Sequence, residues 1–169
     1  MTAYAQSPEE IRESFLLVLN LMLFLYICLF TLWLIAHLIV AAALSRMAKN
    51  AHIRHPWLSW IPIAQFWIVG ELISGKLRGN GGIKVLLIGC VTIVFRFLPF
   101  HQLYIHLLVK IPEPIYRFVS ITLWILLIYI VYRLYEAYAK KAWIHTVLSI
   151  IPFYAPIALF VLRNRERRY

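Results

Sequence analysis

"AKNAHIRHPWLSWIPI", residues 48–63, sets a cluster of basic and histidine residues directly before two tryptophans and a proline-broken apolar run. A parallel stretch, "AKKAWIHTVLSIIPF", occupies residues 139–153. At an offset of 91, Ala48, Lys49, Ala51 and Ile53 meet Ala139, Lys140, Ala142 and Ile144. After a one-residue gap, His55, Leu58, Ser59, Ile61 and Pro62 meet His145, Leu148, Ser149, Ile151 and Pro152. Identities that include a proline and a histidine point to a degenerate internal duplication. Its repeat-like units cover about 15–73 and 116–162 and are linked by 74–115.

The residues upstream of the first stretch set the solvent. Phe15–Leu44 is 30 residues long without one Asp, Glu, Lys or Arg, and only Asn20 and His37 interrupt it strongly. About 20 apolar residues suffice to span a bilayer. The whole chain agrees, being 63% hydrophobic and 14% charged, where a soluble domain carries roughly 25% charged residues. At 169 residues it reads as a single membrane domain, all-α and integral to the bilayer. A cleaved signal peptide does not fit: "SPEEIRES" is acidic, and the run far exceeds an h-region of about 7–15 residues. Ser7, Pro8 and Glu10 read as N-cap, first helical residue and capping-box partner. Ala41, Ala42 and Ala43 read as a helix-packing surface.

Five apolar segments emerge: Phe15–Leu44, Trp57–Ile73, Ile83–Phe100, Phe118–Tyr135 and Trp143–Leu162. The second carries Pro62, and the fifth carries Pro152 and Pro156. The glycine-rich "GKLRGNGG" between segments is a flexible turn and matches no phosphate-binding fingerprint. If all five segments cross, the cations split 10 against 7, and the two matching basic elements fall on opposite faces. If segments two and five enter and return on one side, the split changes. The inner side then holds Arg46, Lys49, Arg54, Lys76, Arg78, Lys84, Arg133, Lys140, Lys141, Arg163, Arg165, Arg167 and Arg168, 13 against 4. The positive-inside rule selects the second arrangement. It has three spanning helices plus two Pro-broken re-entrant hairpins, the alternative being that those segments are short spanning ones. It sits in the plasma (inner) membrane with the C-terminus cytoplasmic.

The net charge of +10 raises nucleic acid as a partner. The cations are dispersed between apolar segments, however, and anionic headgroups are the more economical partner for juxtamembrane charge. Arg46, Lys49, Arg54, Lys140, Lys141, Arg163, Arg165, Arg167 and Arg168 are the expected anchoring set. Cys28 and Cys90 sit inside apolar runs and read as buried thiols. Glu71 and Arg96 lie within or beside apolar segments, where an ionisable group is a functional candidate by default. Snorkelling to the interface is the plainer reading for Arg96, and Glu71 stands evenly between the two. His37 is expected to hydrogen-bond a neighbouring helix rather than to relay protons. His52 and His55 have metal-ligand spacing but no Cys, Asp or Glu to complete a set, so headgroup contact is the expectation. His101 and His106 do not share a helix face well. Trp57, Trp60, Trp67 and Trp143 read as interfacial belt residues. A ligand or lipid contact at Trp57, Trp60, Gln65, Glu71 and Trp143 is the sharper alternative. No catalytic triad or nucleophile elbow is present, and Asp is absent altogether.

Residues 45–75, "SRMAKNAHIRHPWLSWIPIAQFWIVGELISG", resemble a group of small bacterial multi-span membrane proteins of unknown function. These carry a basic turn, a Pro-Trp or Gly-Trp pair, an Ile-Pro step, an Asn-Tyr pair and a Gly. Some are associated with signal-peptidase-like sequences. Pro56, Trp57, Ile61, Pro62 and Gly70 keep the pattern. Gln65-Phe66 replaces the Asn-Tyr pair, and the glycine of the basic turn is missing. The resemblance implies a multi-span inner-membrane protein with no established activity.

These readings converge on a non-enzymatic accessory or scaffold protein of the membrane, without cofactor or metal. Its expected partners are anionic lipid headgroups and a membrane protein or a copy of itself. The alternative is a small transporter or channel with its site between the two Pro-broken hairpins.

Overall fold

Apolar residues with good helix propensity run without a breaker from Phe15 onward, and the chain forms one long helix there. The computed structural model describes residues 8–74, 80–97, 113–151 and 153–166. Ser7, Lys76, Arg78, the rest of 75–79 in the glycine-rich turn, His101, His106, Lys110, Pro152, Arg167 and Arg168 lie outside the described residues. The described residues form six α-helices and one 3-10 helix, with no strand among them.

Helix α1 spans Pro8–Asn50, 43 residues. A proline is well placed in a first turn, where its missing N–H has no helical partner to lose. The helix continues past Leu44 through "SRMAKN", because Arg, Met, Ala and Lys are good helix formers. It stops in a Schellman motif: Ile53 N–H donates to Ala48 O (2.9 Å) and His52 N–H to Lys49 O (3.1 Å). His52 occupies the left-handed position at φ 55°, where glycine is the usual residue. The basic turn thus carries a histidine where its backbone favours a glycine. At 1.5 Å per residue α1 is ~65 Å long, about twice the hydrocarbon thickness of a bilayer.

The chain divides into two units within this helix, one ending at Ala36 and one beginning at His37. In the first unit apolar side chains point outward all round the helix, with Leu17, Phe24 and Tyr26 each about two-thirds exposed. Among the described residues two helices are long and apolar enough to cross a membrane, Arg12–Asn50 and Pro114–Tyr138.

In the second unit the chain doubles back twice. A 3-10 helix, Pro56–Trp60, leads away from the Asn50 end. His37 marks how far it goes: its ring bonds the Trp60 carbonyl, and it lies ~20 Å along α1 from Asn50. Ile61 is extended (φ −94°, ψ 119°), Pro62 follows, and α2 (Ala64–Ile73) runs back. Ile68, Leu72 and Ile73 of α2 join Leu44 and Met47 in the core. The segment Trp57–Ile73 is therefore two short helical pieces about a bend rather than one kinked helix. Helix α3 (Gly81–Phe97) packs antiparallel on α2, with Gly70 facing Gly81 and Gly82 and with Phe66 on Gly89. A Cβ added to Gly70 would lie 2.6 Å from Gly82 Cα, so the two backbones touch.

Helix α4 (Glu113–Tyr138) packs on both α2 and α3, and buries its last turns. Then α5 (Ala142–Leu148) leads away, Phe153 reverses the chain at φ 66°, and α6 (Tyr154–Leu162) returns. Pro156 sits in the first turn of α6, where no N–H is needed. The return is marked by Asn50, whose Nδ2 donates to the Arg163 carbonyl at 3.3 Å.

Burial repeats at the sequence offset. Ala43, Leu44, Met47 and Ala48 are buried, and so are Leu134, Tyr135, Tyr138 and Ala139, each 91 residues later. Ile68 and Leu72 are buried, as are Ala158 and Leu162, each 90 later. Ala41 and Ala43 are fully buried, as the packing-surface reading expected. Large apolar side chains stay exposed at both bends, Trp57, Trp60, Ile61 and Ile63 at the first and Trp143, Ile150, Ile151 and Phe153 at the second.

Candidate functional site

Each bend carries a polar cluster, and backbone chemistry explains why. Breaking a helix orphans carbonyls and N–H groups, which cost free energy unless paired, most of all at membrane depth. At the first bend Gln65 Nε2 donates to the Ser59 carbonyl (2.8 Å) and to His37 Nδ1 (3.3 Å). His37 Nε2 lies 3.2 Å from the Trp60 carbonyl, which can only accept, so that nitrogen carries the proton. Ser59, fully buried, donates its hydroxyl to the Pro56 carbonyl at 2.9 Å. One glutamine and one histidine thus hold two carbonyls of the 3-10 turn against α1. His37 bonds a neighbouring element, as the sequence reading expected of it.

At the second bend Ser149 Oγ donates to the His145 carbonyl (2.7 Å) and shares a hydrogen bond with the Tyr135 hydroxyl (2.9 Å). His145 Nδ1 and the Tyr154 hydroxyl share a bond of 2.8 Å. The imidazole lies between two phenol rings, with centroids 5.4 Å from Tyr135 and 6.1 Å from Tyr154. Tyr154 thus engages His145 Nδ1, and the Ser149 hydroxyl is bonded to a carbonyl and a phenol rather than to the imidazole. Tyr135 and Tyr154 were not singled out from sequence, and His145 and Ser149 stood out only as repeat matches. The repeat alignment pairs His55 with His145, yet His55 is exposed at the start of the 3-10 helix, while His145 is half-buried in its cluster.

Glu71 takes a third role beyond the two weighed for it. Its Oε1 accepts a hydrogen bond from Gly82 N–H at 3.2 Å, which caps the first turn of α3 from across the hairpin. Trp67 lies against the same glycine, partly buried and packed on the core. Arg96 belongs to α3. Cys28 and Cys90 are free thiols, each partly buried.

The remaining anticipated residues separate into two groups. Trp57, Trp60 and Trp143 are exposed at 58%, 49% and 63%, on the outer sides of the bends rather than around a shared pocket with Gln65 and Glu71. The basic residues gather at the other end of the second unit. Arg46 and Lys49 are exposed on the last turns of α1, with Arg54 just after it, and Lys140 and Lys141 are exposed at the end of α4. Arg163 stacks on Phe160 with its guanidinium carbon 3.4 Å from the ring centre, beside Asn50, and Arg165 follows, exposed. The ends of α1 and α6 meet through Asn50 and Arg163, the last turns of α2 and α4 join the same core cluster, and cations complement the partial negative charge of helix C-termini. Among the described residues no group of three or more His, Cys, Asp or Glu is placed to hold a metal ion. No family model matches the chain, and neither does any curated protein or solved structure.

Proposed function

We propose that the chain is a non-enzymatic integral membrane module of three crossings and two re-entrant hairpins, held in orientation by anionic lipid and acting on a membrane partner. The crossings are α1, α3 and α4. The hairpins are residues 53–73 and 140–162, and both open toward the cytoplasmic side. The observation that carries this is the gathering of Lys49, Arg54, Lys140, Lys141, Arg163 and Arg165 at the end where four helices terminate. The reversal of the chain at each proline bend, with apolar tips exposed and internal carbonyls paired, supports the same arrangement. The matching burial at offsets of 91 and 90 supports a duplicated unit. Cations near an anionic leaflet contribute about 1 kcal/mol each. Replacing Lys140, Lys141, Arg163 and Arg165 by Gln is therefore expected to yield a mixed orientation in a cysteine-accessibility map. An unchanged map counts against the anchoring role.

A small transporter is the second reading, favoured by the two polar clusters at corresponding bends. Glu71 is the one acidic group available to couple ions in α2, and it already serves as the cap of α3. Proteoliposome flux that is present in the wild type and lost on His145→Ala, but kept in Glu71→Gln, would favour transport without a coupling carboxylate.

A further inference from the structure

We propose that the outer half of α1 is a self-association surface, on which Asn20 of one copy pairs with Asn20 of a second copy within the bilayer. The inference rests on the membrane reading above and names the partner that reading leaves open. Asn20 lies inside the apolar run, is exposed, and makes no side-chain hydrogen bond among the described residues. A carboxamide offers two donors and two acceptor lone pairs, all of which go unmet against lipid chains. Interhelical bonds from such side chains are a main source of helix association in membranes.

A second copy is the partner that fits best. Insertion fixes the same orientation for every copy, so equal residues lie at equal depth. A two-fold axis along the membrane normal then brings Asn20 against itself, and a carboxamide is self-complementary as both donor and acceptor. The flanking residues carry the heptad spacing of a parallel helix pair. Leu17, Asn20, Phe24, Ile27, Thr31 and Leu34 fall on one side of the helix at alternating steps of three and four. Leu17, Phe24 and Ile27 are exposed at 67%, 66% and 53%, and Thr31 spends its hydroxyl on the Ile27 carbonyl at 2.8 Å, leaving its methyl outward. Glu13, one heptad before Asn20, is on the same side beyond the apolar run, where water and salt screen its charge.

The test uses the full chain in a Cys28→Ser, Cys90→Ser background, reconstituted at low density in phosphatidylcholine–phosphatidylglycerol vesicles. Energy transfer between copies labelled at Arg165→Cys reads association. The wild-type face is expected to give dimers, Asn20→Leu to weaken association roughly tenfold, and Asn20→Gln to retain most of it. Single cysteines at Phe24 or Ile27 are expected to cross-link faster than cysteines at Val18 or Leu29 on the opposite side. Equal association of Asn20→Leu and wild type overturns the proposal, as does cross-linking with no preferred side. A protein that stays in the vesicles yet remains monomeric, or that pairs only with a different membrane protein, also overturns it and leaves the membrane reading standing. Release of the protein by alkaline carbonate overturns the membrane reading and this surface together.

Discussion

Adding one methyl group at Gly70 is the sharpest perturbation the packing offers, because two opposing terms give opposite signs. In an open helix position Gly→Ala stabilises by about 1 kcal/mol, through propensity alone. At Gly70 the new Cβ would lie 2.6 Å from Gly82 Cα and 2.8 Å from the Gly81 carbonyl carbon. Ordinary contact begins at 3.4 Å and the Gly81 carbonyl oxygen lies nearer still, so α2 and α3 must separate by about 1 Å, and all three obstructing atoms are backbone. Overpacking a tight site costs about 1–3 kcal/mol, and a backbone obstacle belongs at the upper end. The net expectation is a loss of about 2 kcal/mol, the clash less the propensity gain. Gly89 is a second tight site: its added Cβ would meet the Phe66 ring at its root, in a side chain packed on the core, so Gly89→Ala should also destabilise. Thermal unfolding in one detergent, read by circular dichroism, measures both. A Gly70→Ala protein as stable as the wild type, or more so, refutes the close approach of α2 and α3.

Further expectations come from the bends and caps. Gln65→Leu leaves the Ser59 carbonyl without its 2.8 Å donor, and should cost about 1–3 kcal/mol in the same unfolding assay. Glu71→Ala removes the acceptor for Gly82 N–H and should cost about 1 kcal/mol, whereas Glu71→Gln keeps an acceptor and should cost less; equal losses in the two would mean the cap is not what Glu71 contributes. His52→Gly relieves a left-handed backbone at φ 55° and should stabilise by up to about 1 kcal/mol, seen as a higher midpoint temperature.

The apolar residues were the legible part of this chain. Phe15–Leu44 and Phe118–Tyr135 announced the two long helices, and Pro62 marked the first bend. Helix ends were less legible. The apolar run ends at Leu44, but Arg46, Met47, Ala48 and Lys49 prolong the helix until His52 closes it. The polar contacts were mostly hidden. Glu71 meets Gly82 only because Gly70 lets α3 approach, and nothing within residues 64–73 signals that neighbour. His145 and Ser149 were visible as matches to His55 and Ser59. Their partners Tyr135 and Tyr154 lie on other helices, and a tyrosine in an apolar run carries no mark of what its hydroxyl will meet. Trp57, Trp60 and Trp143, read as interfacial belt residues, are exposed, whereas Trp67 packs against the core because the absence of a side chain at Gly82 leaves room for its indole.

The central claim is that both bent elements open toward one side of the membrane, and substituted-cysteine labelling tests it most directly. In the cysteine-free background, Glu9→Cys, Lys49→Cys, Asn80→Cys, Lys140→Cys and Arg165→Cys are probed one at a time with an impermeant maleimide in sealed vesicles of known orientation. The account predicts that Lys49, Asn80, Lys140 and Arg165 label from the cytoplasmic side alone and Glu9 from the opposite side alone. Labelling of Asn80→Cys or Arg165→Cys from the side that Glu9→Cys reports would contradict it.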